Sequence, residues 1–217
     1  MVRQGEILGL VGPNGSGKST LINLISGYYR VDGGRVVFAG RNLTPLAGHE
    51  IARLGVARTY QIPRPFAQQT VLDNVAAAAM FGAPVRDRVT AEREGHRWLE
   101  FVGLADRAAA LPSELNLHQR KFLELARALA AEPRLVLLDE VLSGLTPSEI
   151  AGAVSLVRQI RDRGTTIVFV EHIMRAVLDV TDRVVVLNHG EVIAEGRPAE
   201  VLREPHVVTA YLGKTRA

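Results

Sequence analysis

The chain of 217 residues carries 26 basic and 23 acidic side chains, which gives a formal net charge of +3. Hydrophobic residues make up 47% of the chain, so its length and composition suit one domain, with room for a substantial insertion. The absence of cysteine excludes disulfides, thiolate metal sites and cysteine nucleophiles. Basic and acidic residues are interspersed, and we therefore expect a mixed solvated surface and no nucleic-acid partner.

The apolar segments predict a soluble protein. The longest of them, residues 75–85, contains Gly82 and Pro84 and is too short to span a bilayer. The N-terminus has no apolar segment of the kind that signal peptides carry.

A glycine-rich segment follows the first predicted strand, residues 6–11, and precedes a helix predicted from Lys18 to Ser26. It reads Gly12-Pro13-Asn14-Gly15-Ser16-Gly17-Lys18-Ser19-Thr20 and fits G-x-x-x-x-G-K-[ST], the phosphate loop of nucleoside-triphosphate enzymes. Glycines let successive N–H groups face phosphate oxygens, Lys18 supplies a charge, and the Ser19 hydroxyl can ligate Mg²⁺. The alternative is a glycine-rich turn that merely precedes a lysine, but strand, loop and helix together favour a triphosphate site.

The middle of the chain predicts two short strands and then helices. The strands cover residues 35–39 and 56–60, and the second leads to Gln61, which is either a solvated loop residue or a ligand of Mg²⁺ or the attacking water. Thr70 and Asp73 predict the start of a helix that ends near residue 79. Thr90 predicts the start of a second helix, and residues 117–131 predict a third.

Two later apolar strands end in charged residues. Residues 135–138 lead into Asp139 and Glu140, and residues 166–170 lead into His172 through another acid. Asp139 stands where a carboxylate can hold Mg²⁺ through water, and Glu140 could polarise the water that attacks the γ-phosphate. His172 would lie along the same sheet edge, either facing the ligand or simply starting the next helix.

The rest of the chain predicts helices and a hairpin. A capping box at residues 146–149 opens a helix to about residue 161, and residues 183–187 and 191–194 flank a hairpin turn. Short helices follow Pro198 and Pro205.

The order of these motifs resembles the ATPase cassette of ABC transporters. Residues 12–20 match its Walker A loop, Gln61 its Q-loop glutamine, and residues 135–140 its Walker B strand with the catalytic glutamate. Residues 143–146 match its D-loop and His172 its switch histidine. Stretches around Gln61, Glu140 and His172 look most like the cassettes of branched-chain amino-acid importers.

The resemblance implies an α/β P-loop NTPase (RecA-like) fold, with a mostly parallel sheet and a helical subdomain. It places the nucleotide core at residues 1–68 and 132–217 and the helical subdomain at residues 69–131. It implies ATP and Mg²⁺ as cofactors, with Ser19, Gln61 and Asp139 as metal ligands and Glu140, His172 and Gln61 in catalysis.

The resemblance also implies partners. A second ATPase cassette would complete a head-to-tail sandwich, and integral membrane permease subunits would bind the helical subdomain and the loop after Gln61. A solute-binding protein would act indirectly. The chain would lie in the cytoplasm, peripheral to the inner face of the cell membrane.

Two features depart from the family's pattern. The signature, usually L-S-G-G-Q, is Leu115 followed by Asn116-Leu117-His118-Gln119, so both glycines are replaced in the segment expected to contact the partner's ATP. The strands that usually precede the first core strand are missing, and no residue is identified that would stack on adenine.

Other activities remain open at this stage. A phosphate loop also suits a small-molecule kinase, and the altered signature suits a nucleotide-binding switch with little hydrolysis. A cassette for another solute or a lipid is a further alternative.

Overall fold

The computed structural model describes residues 1–82 and 87–212, which form eight strands and nine α-helices. The strands are β1 (Ile7–Val11), β2 (Val37–Phe38), β3 (Arg41–Asn42), β4 (Val56–Arg58), β5 (Leu135–Asp139), β6 (Thr166–Val170), β7 (Arg183–Asn188) and β8 (Glu191–Gly196). The helices are α1 (Lys18–Ile25), α2 (Gly48–Arg53), α3 (Val71–Phe81), α4 (Arg88–Phe101), α5 (Leu117–Ala130), α6 (Pro147–Asp162), α7 (Met174–Val180), α8 (Pro198–Val201) and α9 (Pro205–Leu212). Single 3₁₀ turns lie at Ala105–Arg107 and Pro112–Glu114.

The main sheet has six strands in the order β4-β5-β6-β1-β7-β8. Every neighbouring pair is parallel except β7 and β8, which form the predicted hairpin. The central strands β1, β5 and β6 are buried along their whole length, because helices cover both faces of the sheet. The predicted α/β fold with a mostly parallel sheet is confirmed.

The carboxyl ends of three adjacent strands position the candidate site. β5, β6 and β1 lie side by side, and their ends lead into Glu140, Glu171 and Gly12. In an open parallel sheet, ligands bind outside these ends. The sheet order therefore brings residues far apart in sequence to one edge.

Helices α3, α4 and α5 lie between β4 and β5 in the chain and pack against one another through apolar residues such as Val75, Leu99 and Leu123. The Thr70–Asp73 cap of α3 is confirmed, since the Thr70 hydroxyl accepts from the Asp73 amide. The prediction that Thr90 caps the second helix is wrong. Asp87 caps α4 and accepts from the Thr90 amide, so the helix begins three residues earlier.

Other elements differ from the sequence prediction. The strand expected at residues 35–39 is only β2, which pairs with β3 in a separate two-stranded sheet. Helix α2 and strand β3 were not predicted, because both are short and mostly exposed. Residues 83–85 of the apolar stretch, the following Arg86, and residues 213–217 of the predicted core lie outside the described residues.

The last part of the chain agrees with the sequence. The capping box at Thr146 and Glu149 opens α6 with Pro147 in its first turn, and α8 and α9 begin at Pro198 and Pro205. Within residues 1–82 and 87–212, no helix is long and apolar enough to cross a membrane.

Candidate active site

The phosphate loop connects β1 to α1 in a conformation that requires its glycines. Gly12, Gly15 and Gly17 have φ angles of 150°, 76° and 104°, in the region that residues with a side chain rarely adopt. A Cβ atom at Gly12 would also lie 2.1 Å from the carbonyl oxygen of Leu187 on β7. The backbone thus passes too close to the neighbouring strand for any other residue.

The start of α1 leaves its first amides without a side-chain cap. Gly17 is the N-cap, and it has no side chain that could accept from the first amides of the helix. These unpaired N–H groups and the helix dipole favour an anion at this position. Asn14, Ser19 and Thr20 are exposed, whereas the Ser16 side chain is buried inside the loop.

Lys18 is buried and folds back over its own loop. Its Nζ donates to the carbonyl oxygens of Gly12 and Pro13, both at 2.9 Å. Burial lowers the pKa of Lys18, and the nearby carboxylates of Glu140 and Asp139 oppose that change. The structure therefore places the phosphate-loop lysine near both acids predicted for the end of β5.

Asp139 ends β5 in a buried position. Its amide donates to the Thr59 hydroxyl at 3.2 Å, and its Oδ2 lies 3.8 Å from Nη2 of Arg58. Burial raises the pKa of Asp139, while Arg58 and then Lys18 act in the opposite direction. The carboxylate is held by a side chain that the sequence did not single out, Arg58 on β4.

Glu140 lies one residue beyond β5 with a φ angle of 51°, an uncommon conformation for a residue with a side chain. Its amide donates to the carbonyl oxygen of Val170 at 2.9 Å, which ties Glu140 to the end of the neighbouring strand β6. Nε2 of Gln61 donates to Oε2 of Glu140 at 2.5 Å. The structure thus joins the Q-loop glutamine to the predicted catalytic glutamate.

His172 lies beyond the end of β6, at the predicted edge of the sheet, but it is set apart from the other candidates. Its side chain is 57% exposed, and its nearest charged partner is Glu171, with Nδ1 4.0 Å from Oε2. It forms no hydrogen bond with Glu140 or Gln61 in the part of the chain that the structure describes. Its role as a switch residue stays a prediction.

The signature segment opens α5 with a complete capping box. Oδ1 of Asn116 accepts from the Gln119 amide at 2.8 Å, and Oε1 of Gln119 accepts from the Asn116 amide at 3.0 Å. The Asn116 side-chain oxygen is therefore engaged in its own helix, whereas the side-chain NH2 group of this exposed residue is left to donate elsewhere.

The two residues that replace glycines contact the body of the chain. The Leu117 side chain is exposed beside Gly144, where an added Cβ would lie 3.2 Å from Cδ2 of Leu117. Nδ1 of His118 lies 3.4 Å from Oε1 of Glu149 on α6. The His118 ring packs edge-to-face on the ring of Phe122, with 4.3 Å between the ring centroids. His118 thus links the starts of α5 and α6.

The loop after β4 is held by residues that the sequence analysis missed. Asn74, fully buried on α3, both donates to and accepts from the backbone of Phe66. The buried Glu124 on α5 accepts from the Arg64 amide at 2.7 Å, and Arg127 donates to the Arg64 carbonyl oxygen. Polar residues on the buried faces of helices α3 and α5 were the available signal for this anchor.

Two protein families match parts of the chain. The family described as ABC transporter matches residues 1–143, and the one described as Branched-chain amino acid ATP-binding cassette transporter matches residues 191–217. Among curated relatives, the high-affinity branched-chain amino acid transport ATP-binding protein LivG of Salmonella typhimurium is 36% identical, over 98% of this chain and 89% of LivG. The corresponding protein BraF of Pseudomonas aeruginosa is 34% identical over the same shares.

Solved structures give the same result. An ATP-binding cassette of an ABC transporter in its ADP conformation superposes with a TM-score of 0.86 at 32% identity, over 98% of this chain and 90% of that one. A nucleotide-free cassette gives the same TM-score at 31% identity and the same coverage. The sequence, the fold and the arrangement of the phosphate loop, β5 and the Q-loop agree, and the chain belongs to the ABC transporter family as an ATP-binding cassette.

Proposed function

We propose that this chain hydrolyses ATP and thereby powers the import of a branched-chain amino acid through a membrane permease. The observation that carries the hydrolysis is the contact between Gln61 and Glu140 beside a phosphate loop whose Lys18 lies near the same acid. The solute is inferred from relatives named for branched-chain amino acid transport and from the match at residues 191–217.

Each side chain has a distinct part in this reaction. The phosphate loop and the start of α1 bind the phosphates through backbone N–H groups, and Lys18 adds a positive charge. The Glu140 carboxylate orients the attacking water and takes its proton, and Gln61 holds that carboxylate in place. His172 would approach the γ-phosphate from the end of β6.

The oxygen donors near the phosphate loop fit Mg²⁺. The described residues contain no group of three or more acidic or histidine side chains that could hold a metal alone. Ser19, Gln61 and Asp139 offer one hydroxyl, one amide oxygen and one carboxylate, a set that suits a cation held mainly by phosphates and water. When bound, Mg²⁺ would neutralise phosphate charge during hydrolysis.

The proposed partners are a second cassette, permease subunits and, indirectly, a solute-binding protein, with the chain peripheral to the inner face of the cell membrane. Ile62 and Phe66, in the loop after Gln61, are 74% and 52% exposed. Such apolar side chains on an anchored loop suit a protein contact. The start of α5, at Asn116 to Gln119, would meet the ATP of the second cassette.

Phosphate release by the purified chain, alone and with the membrane proteins that copurify with it, tests this function. We expect ATP-dependent release that Glu140→Gln lowers by about a hundredfold or more, and uptake of branched-chain amino acids when the assembly is reconstituted in vesicles. Transfer of the phosphate to a small acceptor would indicate a kinase, and ATP binding without release would indicate a switch. Uptake of a different solute would correct the substrate alone.

A further inference from the structure

A buried lysine on α5 holds the main chain just after the catalytic glutamate. Lys121 is 6% exposed, and its Nζ donates to the carbonyl oxygen of Glu140 at 3.1 Å and to that of Ser143. Lys121 lies one turn after the start of α5, so it connects the signature helix directly to the end of β5. No motif in the sequence singles it out.

A buried glutamate holds the same segment from the sheet. Glu171, 1% exposed at the end of β6, accepts from the Leu142 amide through Oε1 at 2.7 Å. Its Oε2 is buried without a hydrogen-bond partner among the described residues. Burying a carboxylate in this way is unfavourable unless its surroundings compensate, so the arrangement calls for a functional reason.

The segment between these two side chains has a strained conformation. Glu140 has its φ angle of 51° because its amide is held by Val170 on one side and its carbonyl group by Lys121 on the other. Such a conformation persists when neighbouring groups fix it from several directions. The direction of the Glu140 carboxylate toward Gln61 depends on that backbone.

The charges of the pair favour each other. Burial lowers the pKa of Lys121, and the carboxylates of Glu171 and Glu140 oppose it. Burial raises the pKa of Glu171 to about 7, and the charge of Glu140 adds to that rise. The backbone amides of Leu142 and His172 and, to a smaller extent, the charge of Lys121 act against it. Removing Lys121 would take away a charge that favours the ionised form of Glu171, and removing Glu171 would leave Lys121 with Glu140 as its nearby acid.

We propose that Lys121 and Glu171 are positioning residues for hydrolysis, which hold residues 140–143 so that the Glu140 carboxylate faces Gln61. The inference rests on the proposed function, since it concerns the step that Glu140 performs. It also implies that a movement of α5 at the signature segment is transmitted to Glu140 through the Lys121 side chain.

Substitution of Lys121 is the first test. Lys121→Met keeps an unbranched apolar chain, one atom shorter than that of lysine, and removes both hydrogen bonds to carbonyl groups. We expect kcat to fall about tenfold to a hundredfold, the range for a slightly misplaced catalytic group. ATP affinity should stay within about twofold, because the phosphate loop is untouched. Lys121→Arg retains a cation with several donors and should recover part of kcat.

Glu171 gives an independent test from the other side of the segment. Glu171→Leu removes the acceptor of the Leu142 amide and should lower kcat with little change in KM. Glu171→Gln keeps an oxygen at that position and should retain more turnover than Glu171→Leu. A purely structural role would instead lower thermal stability in both variants without separating kcat from KM.

Arg183→Met is the matched control. Arg183 is also buried and ion-paired, with Nη2 2.7 Å from Oε1 of Glu6. It begins β7, however, and so lies at the amino ends of the parallel strands, away from the candidate site. We expect this variant to lose stability and to keep kcat. Normal turnover by folded Lys121→Met would overturn the positioning role alone. Absence of phosphate release by the parent chain would overturn the proposed function and this inference with it.

Discussion

The starts of α1 and α5 are the two helix starts proposed to contact ATP, yet their first amides are satisfied in opposite ways. At α1 the N-cap is Gly17, with a φ angle of 104° and no side chain to accept from the first turn. At α5, Asn116 and Gln119 close the helix with reciprocal hydrogen bonds. The first start is left open to an anion, whereas the second is already partly satisfied by its own side chains.

This difference indicates that the two helix starts contribute unequally to ATP binding. Unpaired N–H groups at α1, with Lys18 beside them, can bind phosphates through the backbone. The capped start of α5 offers a smaller contribution, through the exposed amide group of Asn116 and the helix dipole. Binding of ATP should therefore depend mainly on the phosphate loop, and the signature should affect mainly the closure of two cassettes.

Glu140→Gln is expected to have the largest effect and separates catalysis from both binding segments. Turnover should fall by about 10²- to 10⁴-fold, because the amide cannot take a proton from water. ATP affinity should remain close to that of the parent, as neither helix start is altered. Single-turnover phosphate release together with nucleotide titration measures both. Glu92→Gln is the control, because Glu92 is a half-buried acid of α4 whose ion pair with Arg88 lies outside the candidate site.

Lys18→Ala removes the charged side chain from the helix start that is proposed to bind ATP more strongly. We expect ATP affinity to fall by about a hundredfold, since the charge that faces the phosphates is lost from a buried site. Calorimetric titration with ATP measures this loss, and Arg183→Met serves as a control for a missing buried cation. Unchanged affinity would remove the phosphate loop from its assigned role.

The site was predictable from sequence where a local pattern specifies it. The phosphate loop is identified by a strand followed by a glycine-rich turn, and Asp139 and Glu140 by their place at the end of an apolar strand. Each of these signals lies in one continuous stretch of sequence. The cap of α4 was misassigned because Asp87 and Thr90 are both good N-cap residues, three positions apart. Periodicity alone does not choose between them.

The contacts of Lys121, Glu171, Glu124 and Asn74 were not predictable in the same way. Each of these side chains reaches a backbone group that tertiary packing brings near, such as Nζ of Lys121 at the carbonyl group of Glu140, 19 positions away. In the sequence they are ordinary polar residues of helices or strand ends. Only the sheet order and the docking of α5 show that they lie in the interior.

The pH dependence of stability tests the burial of Glu171 behind the end of β5. Its pKa rises from 4.5 to about 7, chiefly because of burial, so the folded chain holds the proton where the unfolded chain has lost it. This stabilisation is present below pH 4.5 and is lost as the pH rises to about 7. Glu171→Gln should abolish this pH dependence. The difference in unfolding free energy between parent and variant should therefore change by about 3 kcal/mol at most between low and high pH. Urea unfolding of both proteins at pH 5 and pH 8 measures it, and parallel pH profiles would contradict the assignment.

Restoration of the usual signature has the smallest expected effect and tests the start of α5, which is proposed to contribute less to ATP binding. Asn116→Ser, Leu117→Gly and His118→Gly together would keep a capping residue and remove both bulky side chains from the helix start. The His118 contact with Glu149 and the Leu117 contact beside Gly144 would be lost. We expect ATP-dependent dimerisation to strengthen about tenfold, because the partner's γ-phosphate can then approach the backbone closely.

The Glu140→Gln background is suited to this measurement, because hydrolysis cannot reopen the dimer. Sedimentation with and without ATP measures the association, and the single variants Leu117→Gly and His118→Gly show which side chain obstructs it. If His118→Gly alone weakens dimerisation, the link between α5 and α6 is needed to hold the signature in place. An unchanged or weaker dimer in the triple variant would mean that the native residues already suit the closed site, and that α5 binds its partner's nucleotide through contacts other than a glycine-lined backbone.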